Sequence, residues 1–133
     1  MKIGEVARAA GLGIHAVRFY ERQGLIDEPA RRASGYREYD PDAILSLRFI
    51  RRAKELGFSL KEISELLSLE ADPQADAADV KQLAEVKLED IESRIRALQR
   101  MRRALRRVTE GCPGSGPTSR CSILGTLNRE EKR

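Results

Sequence analysis

The sequence predicts a mainly α-helical chain, a winged helix-turn-helix head followed by one long rod helix that needs a partner. Three observations carry this. Across the 133 residues, apolar side chains recur every three or four positions in runs that stop at Gly or Pro. Between Asp27 and Tyr39 a basic, Tyr-containing stretch has no helical period. Near the C-terminal end a Leu/Ile seam persists for about 30 residues, far longer than an ordinary surface helix. Composition agrees: 35% charged residues, 5% aromatics and no Trp suit a helical chain better than a β-sandwich.

The first helix is marked by Ile3, Val6, Ala7 and Ala10, and Gly11-Leu12-Gly13 breaks it. A second runs from about Ile14 to Gln23, with Gly24 at the C′ position. Two short helices joined by a tight Gly-containing turn outline a helix-turn-helix. Downstream, Ser34-Gly35 reads as a turn and Tyr36-Arg37-Glu38-Tyr39 alternates as a short strand does. With Arg31, Arg32 and Arg37 this is a basic hairpin, and a hairpin placed there makes the motif a winged one.

Asp40-Pro41 opens the third helix, Asp as N-cap and Pro at the first helical position, with a stripe of Ile44, Leu47, Ile50 and Leu56. Gly57 ends it. Ser59-Leu60-Lys61-Glu62 is a capping-box sequence for a fourth helix bearing Ile63, Leu66 and Leu67. A polar, acidic linker surrounds Asp72-Pro73. From about Ala78 to Glu110 one helix carries Leu88, Ile91, Ile95, Leu98 and Leu105, with Met101 substituting where Arg102 interrupts the seam. At ~1.5 Å per residue this is a rod about 45 Å long. A small head cannot cover such a stripe, so a second rod is its natural sink.

The net charge of +4 conceals a division. Residues 1–57 hold 11 basic against 8 acidic side chains, 58–79 hold 1 against 6, and 80–111 hold 9 against 5. The first basic segment mixes its charge with Tyr and turn residues and is the expected nucleic-acid footprint. The arginines from Arg94 to Arg107 read as a solvated helix face. No apolar run approaches a membrane span and no secretory segment opens the chain, so no membrane partner and a cytoplasmic location are expected. No nucleophile, base and acid are gathered anywhere, which argues against an enzyme. The chain could also be a coiled-coil interaction protein with no DNA role.

Two cysteines, Cys112 and Cys121, flank a Pro/Gly loop, and the only histidine, His15, lies in the second helix. That inventory excludes a four-ligand zinc finger within one chain. Two thiolates on a flexible loop suit a two-coordinate soft ion such as Cu(I), Ag(I) or Au(I), and could serve Hg(II). They are equally compatible with inert thiols, a redox switch or a loop disulfide. A short helix from Ser122 to Leu127, with Cys121 at its start, would favour thiolate character and offset negative charge.

Several motifs together resemble the MerR family of bacterial transcription regulators: Ile3-Gly4-Glu5-Val6-Ala7, Val17-Arg18-Phe19-Tyr20-Glu21, Gly24-Leu25-Ile26, Gly35-Tyr36-Arg37-Glu38-Tyr39 and Leu56-Gly57-Phe58-Ser59-Leu60-Lys61-Glu62-Ile63. The Cys-Pro-Gly loop, the second Cys and the following Ile-Leu resemble its metal-responsive branch. The resemblance runs to about Leu127. It implies a homodimer joined by a long antiparallel coiled-coil dimerisation helix, with a sensor loop at each end of the coil. It also implies double-stranded promoter DNA as ligand. Activation would proceed by metal-driven distortion of that DNA, so that bacterial RNA polymerase engages both promoter elements.

Carried over position by position, the resemblance implies that Arg18 and Tyr20 contact DNA with His15 beside them. Arg31, Tyr36 and Arg37 would meet phosphates from the wing, and Lys54 would face the backbone. Cys112 and Cys121 would be the metal ligands. Ala77 stands where divalent-responsive relatives carry a third Cys and monovalent-responsive ones commonly carry Ser. Lacking a donor there, the chain is expected to take Cu(I), Ag(I) or Au(I), with Hg(II) or Zn/Cd/Pb as the alternative, since the loop spacing matches mercury-type loops as well as copper-type ones. The expected organisation is 1–70 for the winged DNA-binding head with linking helices, 71–79 for a hinge and 80–111 for the dimerisation helix. Residues 112–128 form the metal-sensing loop and short helix, and 129–133 a tail.

Overall fold

The computed structural model describes residues 1–31 and 37–129, with the side chains of all of these except Ala30, Arg31 and Arg37. In order these are α1 (Ile3–Ala10), α2 (Ile14–Arg22), β1 (Ala30–Arg31), β2 (Arg37–Glu38), α3 (Asp42–Glu55), α4 (Leu60–Ala71), α5 (Ala77–Glu110), a 3₁₀ turn (Thr118–Arg120) and α6 (Ser122–Asn128). The chain divides into two compact units, Met1–Lys87 and the residues from Leu88 onward.

In the first unit, α1 packs on α2 and α3, and α3 on α4. α1 closes at Gly11, whose φ is 74°; the Gly11 N–H reaches the Arg8 carbonyl at 3.2 Å and the Leu12 N–H the Ala7 carbonyl at 2.9 Å. Gly adopts that left-handed turn without the clash of a Cβ. Here a Cβ would also run into the Arg51 guanidinium. α2 closes in the same way at Gly24, φ 76°, with the Leu25 N–H on the Tyr20 carbonyl at 3.0 Å. The core beneath these turns is Val6, Ala7, Ala10, Val17, Tyr20, Ile26, Tyr39, Leu47, Ile50, Ala53 and Ile63. Arg48 fastens α3 to the end of α1, donating from Nε and Nη2 to the Ala9 carbonyl at 3.2 and 3.0 Å.

Three local expectations are corrected. Leu56 is 67% exposed, and Ala53 takes its place on the buried stripe. Six positions beyond Ile50 is 240° around a helix, well off the face that Leu47 and Ile50 share. The strand read over Tyr36–Tyr39 shortens to Arg37–Glu38, paired antiparallel with β1 through Ala30↔Glu38 and Arg31↔Arg37. Tyr39 leaves the ladder for the core, 2% exposed, because its hydroxyl finds Glu21 Oε2 at 2.7 Å. α3 begins at Asp42 with Pro41 before it, and Asp40 still caps the start by accepting the Asp42 N–H at 2.9 Å.

The capping box forms as read: Ser59 Oγ accepts the Glu62 N–H at 3.2 Å, and Glu62 Oε1 accepts the Ser59 N–H at 2.8 Å. Between α4 and α5 two aspartates act in turn, Asp72 Oδ1 accepting the Gln74 N–H and Asp76 Oδ1 the Ala78 N–H, each at 2.9 Å. Asp76 thus starts α5 at Ala77, one residue before the helix read from about Ala78.

In the second unit, α5 continues unbroken to Glu110, and its seam residues Leu88, Ile95, Leu98, Met101 and Leu105 are 47–62% exposed. The loop returns on the helix end, where Ser122 Oγ donates to the Val108 carbonyl at 2.6 Å. Among the described residues no helix is long and apolar enough to cross a membrane.

Candidate nucleic-acid interface and metal centre

α2 is amphipathic in a way that separates its two tasks. Val17 and Tyr20 are buried, whereas His15 and Arg18 are exposed. The exposed pair is spaced i, i+3 and therefore shares one face. Arg22, four residues beyond Arg18, is exposed on that face as well. It was missed in the sequence, although its spacing from Arg18 was the available signal. Arg18 and Arg22 line an open groove with Ile3, Glu21 and Glu28.

Tyr20 is 9% exposed and belongs to the core, its ring centroid 5.8 Å from that of Phe19. It holds α2 against the head from the side opposite Arg18. Lys54 is exposed in the last turn of α3. Of the wing expectations, Tyr36 and the side chains of Arg31 and Arg37 lie outside the described residues; the described backbone places Arg31 and Arg37 opposite one another in the ladder. α2 and α3 each carry more basic than acidic side chains, a balance suited to a polyanion.

The thiols occupy the second unit. Both are half-buried and not joined by a disulfide, the Cys112 thiol donating to the Cys121 sulfur. Their sulfurs are 3.6 Å apart. That is well beyond a disulfide's ~2.05 Å. It is short enough for one soft ion to touch both at bonds of ~2.3 Å, the length of a zinc–thiolate bond. Cys121 is the N-cap of α6, and the Gly125 N–H bonds to its carbonyl at 3.0 Å. The Leu124 N–H and then the Cys112 thiol hold the Cys121 thiol below its ordinary value; burial opposes them, and the Ile123 N–H adds a smaller lowering effect. A helix start that stabilises one thiolate and brings a second within contact is a donor set for a thiophilic cation. Among the described residues no three His, Cys, Asp or Glu side chains cluster as a metal site.

Comparison with known proteins identifies the family. Residues 1–70 match the family described as MerR HTH family regulatory protein, and residues 44–108 match the one described as MerR, DNA binding. The chain is 40% identical over 128 residues to the HTH-type transcriptional regulator CueR of Escherichia coli O6:H1, covering 96% of this chain and 94% of that one. It is 39% identical over 129 residues to the mercuric resistance operon regulatory protein of Bacillus cereus, covering 97% and 98%. The crystal structure of the regulator PbrR691 from Ralstonia metallidurans CH34, in complex with lead(II), superposes with a TM-score of 0.86 at 32% identity, over 96% of this chain and 98% of that one.

Proposed function

Because the chain belongs to the MerR family of DNA-binding transcription regulators, we propose that it is a metal-responsive activator that reads promoter DNA as a homodimer and responds to a soft cation held by Cys112 and Cys121. The observation that carries the metal half is the pair of free thiols 3.6 Å apart at the start of α6. Two sulfur donors from the chain, with Ala77 offering none, favour a monovalent d10 ion, Cu(I), Ag(I) or Au(I), over ions that want four ligands. Bound there, such an ion supplies a soft Lewis-acid link between two thiolates; the resulting negative charge faces the Ile123 and Leu124 N–H groups.

The chain's own residues do the rest. His15, Arg18 and Arg22 present one face of α2 to the DNA, Arg18 and Arg22 meeting phosphates at the edge of the groove, while Arg31, Tyr36, Arg37 and Lys54 meet phosphates around it. Tyr20 seats α2 from the core side. The exposed Leu/Ile/Met seam of α5 is covered by the same seam of a second copy. Bacterial RNA polymerase is the downstream partner, engaging a promoter whose geometry the dimer alters.

Hg(II) is the second reading. Two thiolates satisfy it equally, and the Bacillus cereus relative is named for mercuric resistance.

Competition among Ag(I), Hg(II) and Zn(II) under anaerobic reducing conditions, with Cys112→Ser as control, tests the choice. Tight Ag(I) binding lost in the variant supports the monovalent reading. Zn(II) binding tighter than Ag(I) overturns it.

A further inference from the structure

Glu62 performs two tasks with one atom. Its Oε1 accepts the Ser59 N–H at 2.8 Å, completing the cap of α4, and the same Oε1 receives the Lys87 ammonium at 2.9 Å. Lys87 stands on α5, yet its side chain is only 12% exposed. Confining a long, rotamer-rich cation in this way costs entropy and hydration, which the pairing must offset. On the other side of Ser59 lies the turn that ends α3, where the Phe58 N–H bonds to the Ala53 carbonyl at 3.1 Å and the Gly57 N–H to the Lys54 carbonyl at 3.0 Å. A short, continuous path of bonds therefore runs from Lys54 through Ser59 and Glu62 to Lys87.

We infer that the Glu62–Lys87 pair is a latch by which the rotation of α5 sets the α3–α4 turn, making both residues positioning residues for promoter distortion without contact to DNA or metal. This rests on the function proposed above and names how its two halves communicate. A helix has a half-width of about 5–6 Å, so turning α5 by ~30° moves a side-chain tip roughly 3 Å, enough to take an ammonium out of hydrogen-bond range. Glu62 Oε1 then serves the cap alone. Those two arrangements, cap plus latch and cap only, are the discrete states that coupling between distant sites requires.

The test uses the full-length protein, a DNA fragment from its own promoter and Ag(I) as the probe metal. Glu62→Gln keeps a side-chain oxygen for the Ser59 N–H while removing the charge. Lys87→Met removes the cation, and Lys87→Arg retains it. Ile63→Val, which disturbs the core without touching the pair, controls for stability. Expected are unchanged Ag(I) affinity and a metal-dependent change in DNA untwisting reduced about fivefold or more in Glu62→Gln and Lys87→Met. The double variant should be no worse than either single one, and Lys87→Arg should recover most of the response. Full response in both single variants overturns the latch, as does an equal loss in Ile63→Val. If the wild type itself ignores Ag(I), it is the monovalent-metal reading that fails. The latch is then judged by the metal-free promoter bend, which must change in both single variants for it to stand.

Discussion

Tyr39 donates its hydroxyl to Glu21 Oε2 at 2.7 Å, tying the residue that leaves the hairpin to the helix that presents Arg18. The end of β2 and α2 are therefore fixed to one another through a 2% exposed ring. Tyr39→Phe keeps the ring and deletes the bond. It should cost about 1–2 kcal/mol, the range for a hydrogen bond to a charged partner that is partly solvated. For a head of this size that is a fall in melting temperature of roughly 4–16 °C. A melting curve that superimposes on the wild type would remove the tether from the account.

Leu47 is fully buried between α1 and the rest of the head. Leu47→Ala should destabilise by about 2–5 kcal/mol through lost burial and the cavity left behind. Urea denaturation followed by circular dichroism measures it directly, and a loss below about 1 kcal/mol would mean the core collapses around the gap.

Arg18→Ala and Arg22→Ala should each weaken promoter binding and flatten its salt dependence by about one unit of log–log slope, as expected when one phosphate contact is removed. Titrations at several salt concentrations separate this from base reading. A weaker affinity with an unaltered slope would reassign the side chain to a base edge.

How much of this was legible depended on the range of the chemistry. The capping box Ser59–Glu62, the closing glycines Gly11 and Gly24, and Cys121 at a helix start are all decided within a few residues, and all were readable. Tyr39 reads as a strand residue because its partner, Glu21, is 18 positions away. Lys87 gave no signal at all, since nothing near it in sequence points to Glu62. Leu56 was counted in the stripe because apolar residues invite it, although its phase on the helix excludes it.

The Glu62 carboxyl is held at about 2, chiefly by the Ser59 backbone N–H and then by Lys87. A carboxylate whose folded value is depressed stabilises the fold fully above its unfolded value, near 4.5, and loses that contribution as pH falls toward 2. The contribution is on the order of 1–2 kcal/mol, because part of the side chain remains open to solvent. Glu62→Gln should thus be less stable than the wild type at pH 6 and converge with it in acid. Parallel stability–pH curves for the two proteins would contradict this.

Thiolate character at Cys121 is open to direct chemical measurement. Near neutral pH, Cys121 in the folded protein should react with iodoacetamide faster than in urea, where the Leu124 and Ile123 N–H groups no longer point at it. Peptide mass spectrometry after timed quenching assigns the site. Faster labelling in urea would show that access, not charge, governs its reactivity.

The Ser122 hydroxyl on the Val108 carbonyl also shapes what the sensor loop can discriminate. With that contact made, the ring from Cys112 to Cys121 is closed before any cation arrives, so the conformational entropy of bringing the two donors together has already been spent in folding. On the metal reading proposed above the donors are gathered beforehand, and a linear ion, whose two bonds of ~2.3 Å span about 4.6 Å, has only to part sulfurs that rest 3.6 Å apart. On that reading, selectivity among thiophilic metals would turn on radius and preferred bond angle, in a loop that one hydroxyl bond anchors to the end of α5.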